Sequence, residues 1–449
     1  MANRTWWQGR AATLSWLVAL VAGLIVAAAY PAAANSGGGS KTPAVAVAPH
    51  YKIAGKANPA VPPTFTCQVT TPAQCFGPAQ IRAACGIDKV NATGAGRTIV
   101  IVDAFQSPTI QHDLDLFDQV FELPAATVNI VAPDGLTPFD QNDANQVGWA
   151  GEISLDVEWA HAVAPGAKIT LVLAKSNDDA DILSATQFAV DHNLGDVISQ
   201  SFGEAEQCVD PAIERAQHQM FAKATLKGIT LLASSGDQGA AQPSCDGSTF
   251  IKAASSPASD PFVTGVGGTL LDADGLTGAY HSETTWNEPD FEAGTGGGFS
   301  INYPTPIFQK QLHLRSRGVP DVAYNAGINT GVLAVWSTSG LGSDLLFIFG
   351  GTSAGSPQWA GLTALAAQLR HARVGYLNPQ VYALSLAKPV YAALFHDITT
   401  GDNSFTGEGD NGVTVSIPGF PVARGWDPAT GLGTPKANKL VPVLGGKLP

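Results

Sequence analysis

Ser353 stands in the run Gly350-Gly351-Thr352-Ser353-Ala354-Gly355-Ser356-Pro357, between the apolar segment Leu345–Phe349 and a helical pattern over Gln358–Arg370. A serine reached through glycines can sit close to a ligand, and the amino end of a helix favours negative charge that develops there. Such a residue can be a nucleophile or simply the cap of the helix. As a nucleophile it needs a base. None of the nine histidines, His50, His112, His161, His192, His218, His281, His313, His371 and His396, stands in an H-G-T helix start. Carboxylates offer another route. Glu152 and Asp156 lie four residues apart in a helical pattern, so both project from one helix face. On an ordinary surface helix two such acids repel; a pair that shares a proton turns that closeness to use. Glu158 is displaced around the same helix and is expected to take no part in catalysis. Asp237, in Ser234-Ser235-Gly236-Asp237-Gln238-Gly239-Ala240, follows a strand-like run. Taken alone it reads as a turn aspartate in a glycine-rich loop.

These residues need a scaffold that gathers distant segments. Thr98–Ala104 (TIVIVDA) is a continuous apolar run suited to a buried parallel strand, and Lys168–Ala174, Asp196–Phe202, Ile229–Ser234 and Pro261–Val266 read likewise. Helical patterns fall between them at 109–121, 150–163, 178–192 and 211–227, and a further helix should begin near Ser353 and end near His371. The alternation predicts an α/β fold, a parallel central sheet flanked by helices on both faces, with its site at the carboxyl ends of the strands. Residues 390–440 are rich in Gly, Asp and Pro and read as a loop-built cap. Of five cysteines, Cys208 and Cys245 each follow a predicted strand and could pair; two of Cys67, Cys75 and Cys85 could pair and leave one free.

The G-T-S-A-x-x-P pattern around Ser353 resembles the serine motif of the sedolisin family of serine-carboxyl peptidases, which are subtilisin-like in fold and use glutamate in place of histidine. The resemblance runs over residues 70–440. Gly151–Ala167 resembles the family's E-x-x-x-D helix, which implies Glu152 as general base and Asp156 as the partner that orients it. The segment around Asp237 is similar to the family's S-S-G-D-x-G-A, which implies an oxyanion-hole aspartate. Gly294–Ser300 resembles a G-G-x-S loop beside the substrate cleft. Ile198–Gly203 is similar to a strand end where members often carry tryptophan in the place of Phe202. The resemblance implies a secreted serine-carboxyl endopeptidase that hydrolyses peptide bonds in unfolded proteins through an acyl-enzyme on Ser353. Glu152 must be ionised to accept a proton while Asp237 must hold one. Free carboxyl groups titrate near ~4, so both conditions meet in acid, at roughly pH 3–5. Two other readings stand beside it. One is a subtilisin-like serine hydrolase using Asp103 at the end of the first strand; the other is an inactive secreted binding protein on the same fold. Part of the family releases tripeptides instead.

His396–Gly401 and Ala423–Pro428 resemble the two halves of the family's calcium loop. The resemblance implies one Ca2+ ion, with carboxylates from Asp397 and Asp427 and main-chain carbonyls from Ile398 and Gly425; Ala423 could add another. A hard cation of this kind wants ~6–8 oxygen ligands. Aspartate–glycine turn chemistry is the other reading of these loops.

Residues 1–34 read as a secretory signal peptide. Arg4 and Arg10 precede an apolar run over Trp16–Tyr30 and the small-residue site Ala32-Ala33-Ala34. An uncleaved anchor is the alternative. Residues 35–65 read as a linker and 66–449 as the peptidase-like domain. So short a stretch before that domain is too small for the propeptide usual in the family. The net charge is −13; losing residues 1–34 leaves 22 basic against 37 acidic residues, or −15. That excludes a basic nucleic-acid footprint. Charged residues make up 14%, against ~25% in a typical domain, which limits self-repulsion in acid. The expected partners are polypeptide substrates, with no nucleic acid and no membrane once the signal is cleaved, and the chain is expected to act as an extracellular monomer.

Overall fold

A computed structural model describes residues 49–60, 64–410 and 412–447. The expected signal peptide lies outside these residues. The strands that position the site are β1 (His50–Lys56), β2 (Thr98–Ala104), β3 (Val128–Val131), β4 (Lys168–Ala174), β5 (Val197–Gln200) and β6 (Thr230–Ser234). They continue with β7 (Thr264–Ala273), β8 (Tyr280–Thr285), β9 (Val322–Asn325), β10 (Gly331–Val335) and β11 (Leu345–Gly350).

The central sheet has eight strands in the order β8-β7-β6-β5-β2-β4-β3, with β9 also paired to β7. All its pairings are parallel except that of β8 with β7. Along β2, Ile99 and Ile101 enter one apolar cluster while Val100 and Val102 enter another. A period of two with no polar face is what a strand covered on both sides requires. Helices α1 (Ile110–Phe121), α2 (Ala144–Val163) and α5 (Gly355–Arg370) pack in the first cluster. Helices α3 (Asp179–Asp191) and α4 (Pro211–Leu226) pack in the second through Ile182, Ala185, Ala189, Met220, Phe221 and Ala224. Each large apolar side chain so buried contributes about 1.5–3 kcal/mol before conformational entropy is charged. This is the α/β architecture expected from the strand–helix alternation and the subtilisin-like fold that the resemblance implies.

Helix α2 is buried around almost its whole circumference. It lies against α5 closely enough that a Cβ on Gly361 would come within 2.6 Å of the Val163 side chain. The helix begins earlier than the apolar pattern predicts, because the Asp143 carboxylate accepts from the Asn145 amide at 3.0 Å and caps it. The strand expected at 261–266 starts instead at Thr264. Asp260 turns the chain first, its carboxylate accepting from the Phe262 amide at 2.8 Å.

A second sheet of four strands has the order β1-β11-β10 followed by Cys75–Phe76. Here the structure departs from the linker expected over 35–65. Residues 50–56 form an edge strand antiparallel to β11, pairing His50 with Gly350 just before the Ser353 turn. The run HYKIAGK has too little apolar alternation to announce a strand; the exposed edge of β11 supplies the pairing that its sequence does not. Disulfides join Cys67 to Cys75 and Cys208 to Cys245, and Cys85 is free.

Candidate active site

Ser353 lies in a 3-10 turn, Thr352–Ala354, that leads from β11 into α5. Its side chain does not cap the helix. The hydroxyl donates to the Ser201 carbonyl at 3.3 Å. Ser201 follows the end of β5, and its own hydroxyl donates to Asp156 Oδ1 at 2.8 Å. One serine thus ties the second carboxylate of α2 to the Ser353 turn. The motif Ile198–Gly203 contains Ser201, but only its strand-end position hinted at this role.

Glu152 and Asp156 are buried to 1% and 0% exposure, so a solvated acidic helix face is excluded. Neither oxygen of Glu152 has a hydrogen-bond partner in this resting geometry. Burial pushes its pKa well above the usual carboxylate value. The charges of Asp156 and Asp237 act in the same direction, and the nearby Ser353 hydroxyl pulls the other way. Ser353 is therefore close enough to influence Glu152, while the hydrogen bond its hydroxyl donates goes to the Ser201 carbonyl. Burial also raises the pKa of Asp156 strongly, aided by the charge of Asp103 and opposed by the Ser201 hydrogen bond.

Asp103, at the end of β2, is fully buried with both oxygens unpartnered, and burial followed by the Glu152 charge raises its pKa. It joins the two α2 acids in one low-dielectric space where all three cannot be ionised together. No histidine hydrogen-bonds to Ser353 among the described residues, so Asp103 does not serve a Ser/His/Asp arrangement here. The sequence signal for its place was an acid inside an otherwise apolar strand.

Asp237 follows β6 and reaches the same turn. Its Oδ1 accepts from the Thr352 amide at 2.8 Å and from the Thr352 hydroxyl at 2.7 Å. Gly351 has φ +108°, and a Cβ there would fall 2.6 Å from Asp237 Oδ2. Glycine at 351 is therefore required both by the backbone and by the carboxylate it faces. The Gly294–Ser300 loop docks beside this segment. The Gly296 amide donates to the Gly236 carbonyl at 2.6 Å and its carbonyl accepts from Ser235 Oγ at 2.7 Å.

Glu158 stands apart from the group. It is fully buried, and its Oε2 accepts from the Val335 amide at 2.8 Å, a structural use on β10. His50 was not singled out from sequence. Its buried Nε2 has no partner, and the charges of Asp237 and Glu288 act on it against the desolvation that lowers its pKa.

The two C-terminal loops come together. The Gly425 amide donates to Asp397 Oδ1 at 3.0 Å, and the Ala423 amide approaches Asp427 Oδ2 at 3.4 Å. The Tyr391 hydroxyl, 2.8 Å from Asp397 Oδ1, also faces the Leu432 and Gly425 carbonyls at 3.1 and 3.4 Å. Asp427 is 2% exposed, and burial pushes its pKa up to about 6. Among the described residues no group of three or more His, Cys, Asp or Glu side chains is placed to hold a metal ion. The loops offer two carboxylates and several carbonyls, with no Lys or Arg in an ion pair with either acid among the described residues. Both oxygens of Asp427 accept from the Ala423, Ala429 and Thr430 amides and the Thr430 hydroxyl, which is aspartate-turn bonding, while the lone pairs left on the two carboxylates and the neighbouring carbonyls are oxygen donors of the type a hard cation takes.

The family model described as Subtilase family matches residues 141–403. Kumamolisin of Bacillus sp. (strain MN-32) is 36% identical over 331 residues, covering 71% of this chain and 55% of the relative. Tripeptidyl-peptidase SED2 of Arthroderma otae is 28% identical over 381 residues, covering 74% of this chain and 58% of the relative. The chain thus spans a little over half the length of these curated relatives. The solved structure of Pseudomonas sedolisin (serine-carboxyl proteinase), complexed with two molecules of pseudo-iodotyrostatin, aligns with TM-score 0.70 and 27% identity. That alignment covers 83% of this chain and 99% of that one.

Proposed function

The chain belongs to the sedolisin group of the subtilase family, and on that footing we propose that it is a secreted endopeptidase that cleaves unfolded polypeptides in acid through Ser353. The observation that supports this reading is the convergence of Glu152, Asp156, Asp237 and Ser353, from α2, the end of β6 and the β11–α5 turn, around one hydroxyl.

In this mechanism the Ser353 hydroxyl turns from the Ser201 carbonyl toward Glu152. Glu152 takes its proton as Oγ bonds to the substrate carbonyl carbon. Oδ1 of Asp237 is already held by Thr352, so Oδ2 is the oxygen left to carry a proton and donate it as a hydrogen bond to the developing oxyanion. The carbon–nitrogen bond then breaks, and Glu152 returns the proton to the leaving amine. Water attacks the acyl-enzyme with Glu152 again accepting a proton, the acid product leaves, and Ser353 regains its hydrogen. Asp156, held by the Ser201 hydroxyl, acts on Glu152 through its neighbouring charge. The base must be ionised while the oxyanion donor is protonated; the likeness to serine-carboxyl peptidases supports an optimum in acid, and the burial that raises the Glu152 pKa sets the acid limb above the free-carboxyl range.

Asp397, Asp427 and the carbonyls of Ile398 and Gly425 would hold one Ca2+ ion, which would brace the two C-terminal loops and neutralise their buried charge. Digestion of casein at pH 4 by wild type, Ser353→Ala and Glu152→Gln tests the reading. Loss of cleavage in both variants is expected. Equal cleavage by Ser353→Ala would remove Ser353 as nucleophile, and no cleavage by any of the three would favour the inactive binding protein. Sizing the products separates internal cuts from the tripeptide release for which the Arthroderma relative is named.

A further inference from the structure

A cavity of about 220 Å³ opens between the segment after Asp237 and the glycine loop, lined by Ala240, Gly297, Gln207, Ala253, Phe420 and Lys252 among others. That is room for one side chain rather than for a cofactor. Ala240 is three residues beyond Asp237, which bounds the chain distance at about 11 Å. Gly297 adjoins Gly296, which is bonded directly to the Ser235–Gly236 segment. The opening therefore lies within the reach of a few substrate residues from Asp237.

We propose that this cavity receives an acidic side chain of the peptide substrate, on the acyl side of the cleaved bond, and that Lys252 is the residue that selects it. The inference rests on the peptidase reading above. The Lys252 ammonium stands 4.2 Å from the centre of the Phe420 ring and donates to the Pro418 carbonyl at 2.6 Å. It makes no ion pair among the described residues, so its charge is held at the cavity wall without being neutralised. The remaining walls are apolar or neutral: Ala240, Ala253, the bare backbone of Gly297 and the Gln207 amide. Gly297 has to remain bare, because a Cβ there would come 2.1 Å from the Pro428 carbonyl. The wall bearing Gln207 is fixed by the neighbouring disulfide Cys208–Cys245.

Glu206, next in sequence to the lining residue Gln207, does not cancel Lys252. Its carboxylate is taken up by Ser300 Oγ at 2.7 Å and by the Ile301 amide, and burial raises its pKa, so it loses charge readily in acid. An incoming carboxylate would exchange for the Pro418 carbonyl as partner of Lys252. Because substrate carboxyls ionise near ~4, the selection should strengthen as pH rises through that value. A glutamine of the same shape would show no such trend. Lys252 is exposed at one side, so the effect should be about three- to fivefold, in the range of a screened ion pair.

The test uses quenched-fluorescence peptides that differ only in carrying Glu, Gln or Lys at each of three positions before the cut, with cut sites located by mass. Wild type should favour Glu over Gln about three- to fivefold in kcat/KM at pH 5 and approach parity at pH 3.5. In Lys252→Glu the order of Glu and Lys should reverse, and in Lys252→Met the Glu preference should vanish. Each ratio is taken within one preparation, so partial loss of folded enzyme cancels. Equal rates for Glu and Gln in wild type at pH 5, or a ratio that Lys252→Glu leaves unchanged, would overturn the proposal while leaving the peptidase reading intact. Cleavage of no peptide at all would overturn both.

Discussion

Thr352 gives both of its donors, amide and hydroxyl, to a single oxygen of Asp237, at 2.8 and 2.7 Å. The carboxyl group is thereby pinned with Oδ1 as acceptor and Oδ2 beside Gly351. In Asp237→Asn the amide oxygen can keep the Thr352 contacts while the NH2 takes the place of Oδ2 and donates at every pH. The alkaline limb of the kcat/KM profile should therefore move upward by a pH unit or more, with activity at the acid optimum within about tenfold of wild type. Asp237→Ala, which has no donor, should lose about 10²–10³-fold in kcat. A wild-type alkaline limb in Asp237→Asn would show that protonation of Asp237 does not set it.

Asp103 raises the pKa of Asp156, which in turn raises that of Glu152. Asp103→Asn keeps the size and removes a group that competes with the pair for ionisation. The pair on α2 should then ionise at lower pH, moving the acid limb of the profile down by about half to one unit. Titration of kcat/KM between pH 2 and 6 reads this directly. An upward shift would mean that Asp103 stabilises the ionised pair rather than opposing it.

Glu152 and Glu158 share a helix, full burial and a raised pKa, yet only Glu152 lies against Ser353. Glu152→Gln should reduce kcat by about 10⁴-fold or more, because an amide cannot accept the proton. Glu158→Gln retains an oxygen to accept from the Val335 amide, so cleavage should stay within about threefold of wild type. Parallel assays on a peptide substrate decide the point; a comparable collapse in both would mean that fold, not chemistry, is being measured.

The scaffold was legible where local pattern and tertiary demand agree. Thr98–Ala104 and Lys168–Ala174 are strands over those residues because burial on both faces leaves no polar side to blur the pattern. The capped start of α2 and the edge strand β1 were missed, since one depends on the Asp143 side chain and the other on the free edge of β11. The same division holds at the site. Glu152, Asp156, Asp237 and Ser353 were legible as residues that could do chemistry. Asp103 was legible only as the acid of a Ser/His/Asp arrangement, and Ser201 and Thr352 not at all, because their parts are played through contacts between segments far apart in the chain.

The joined loops around Asp397 and Asp427 bury carboxylate charge without an ion-paired Lys or Arg among the described residues. With the proposed Ca2+ ion bound there, a chelator should lower the melting temperature by several degrees, as loss of any ligand of the folded state does. Asp397→Asn should melt lower from the outset and respond little to the chelator. Identical melting curves with and without chelator in wild type would speak against the site.

Buried acids also set how stability varies with pH. Glu204 has its pKa pushed up to about 9 by burial and by Asp179, and Glu283 up to about 7 by burial. In the unfolded chain both would lose their protons near ~4.5. Between that value and their folded pKa values the folded state binds more protons than the unfolded state, so stability falls as pH rises. The contribution is complete below pH ~4.5, fades through 7 for Glu283 and through 9 for Glu204. Glu158 on α2, raised well above its ordinary value by burial, adds in the same direction. Ser353→Ala, expected to be inactive and so unable to digest itself, should therefore melt highest near pH 4 and progressively lower toward pH 8. Glu204→Gln should flatten the curve in its upper part, because the amide keeps the volume and has no proton to lose. A melting temperature that climbs from pH 4 to pH 8 would reverse the sign and show that these carboxyl groups are not held protonated in the folded protein.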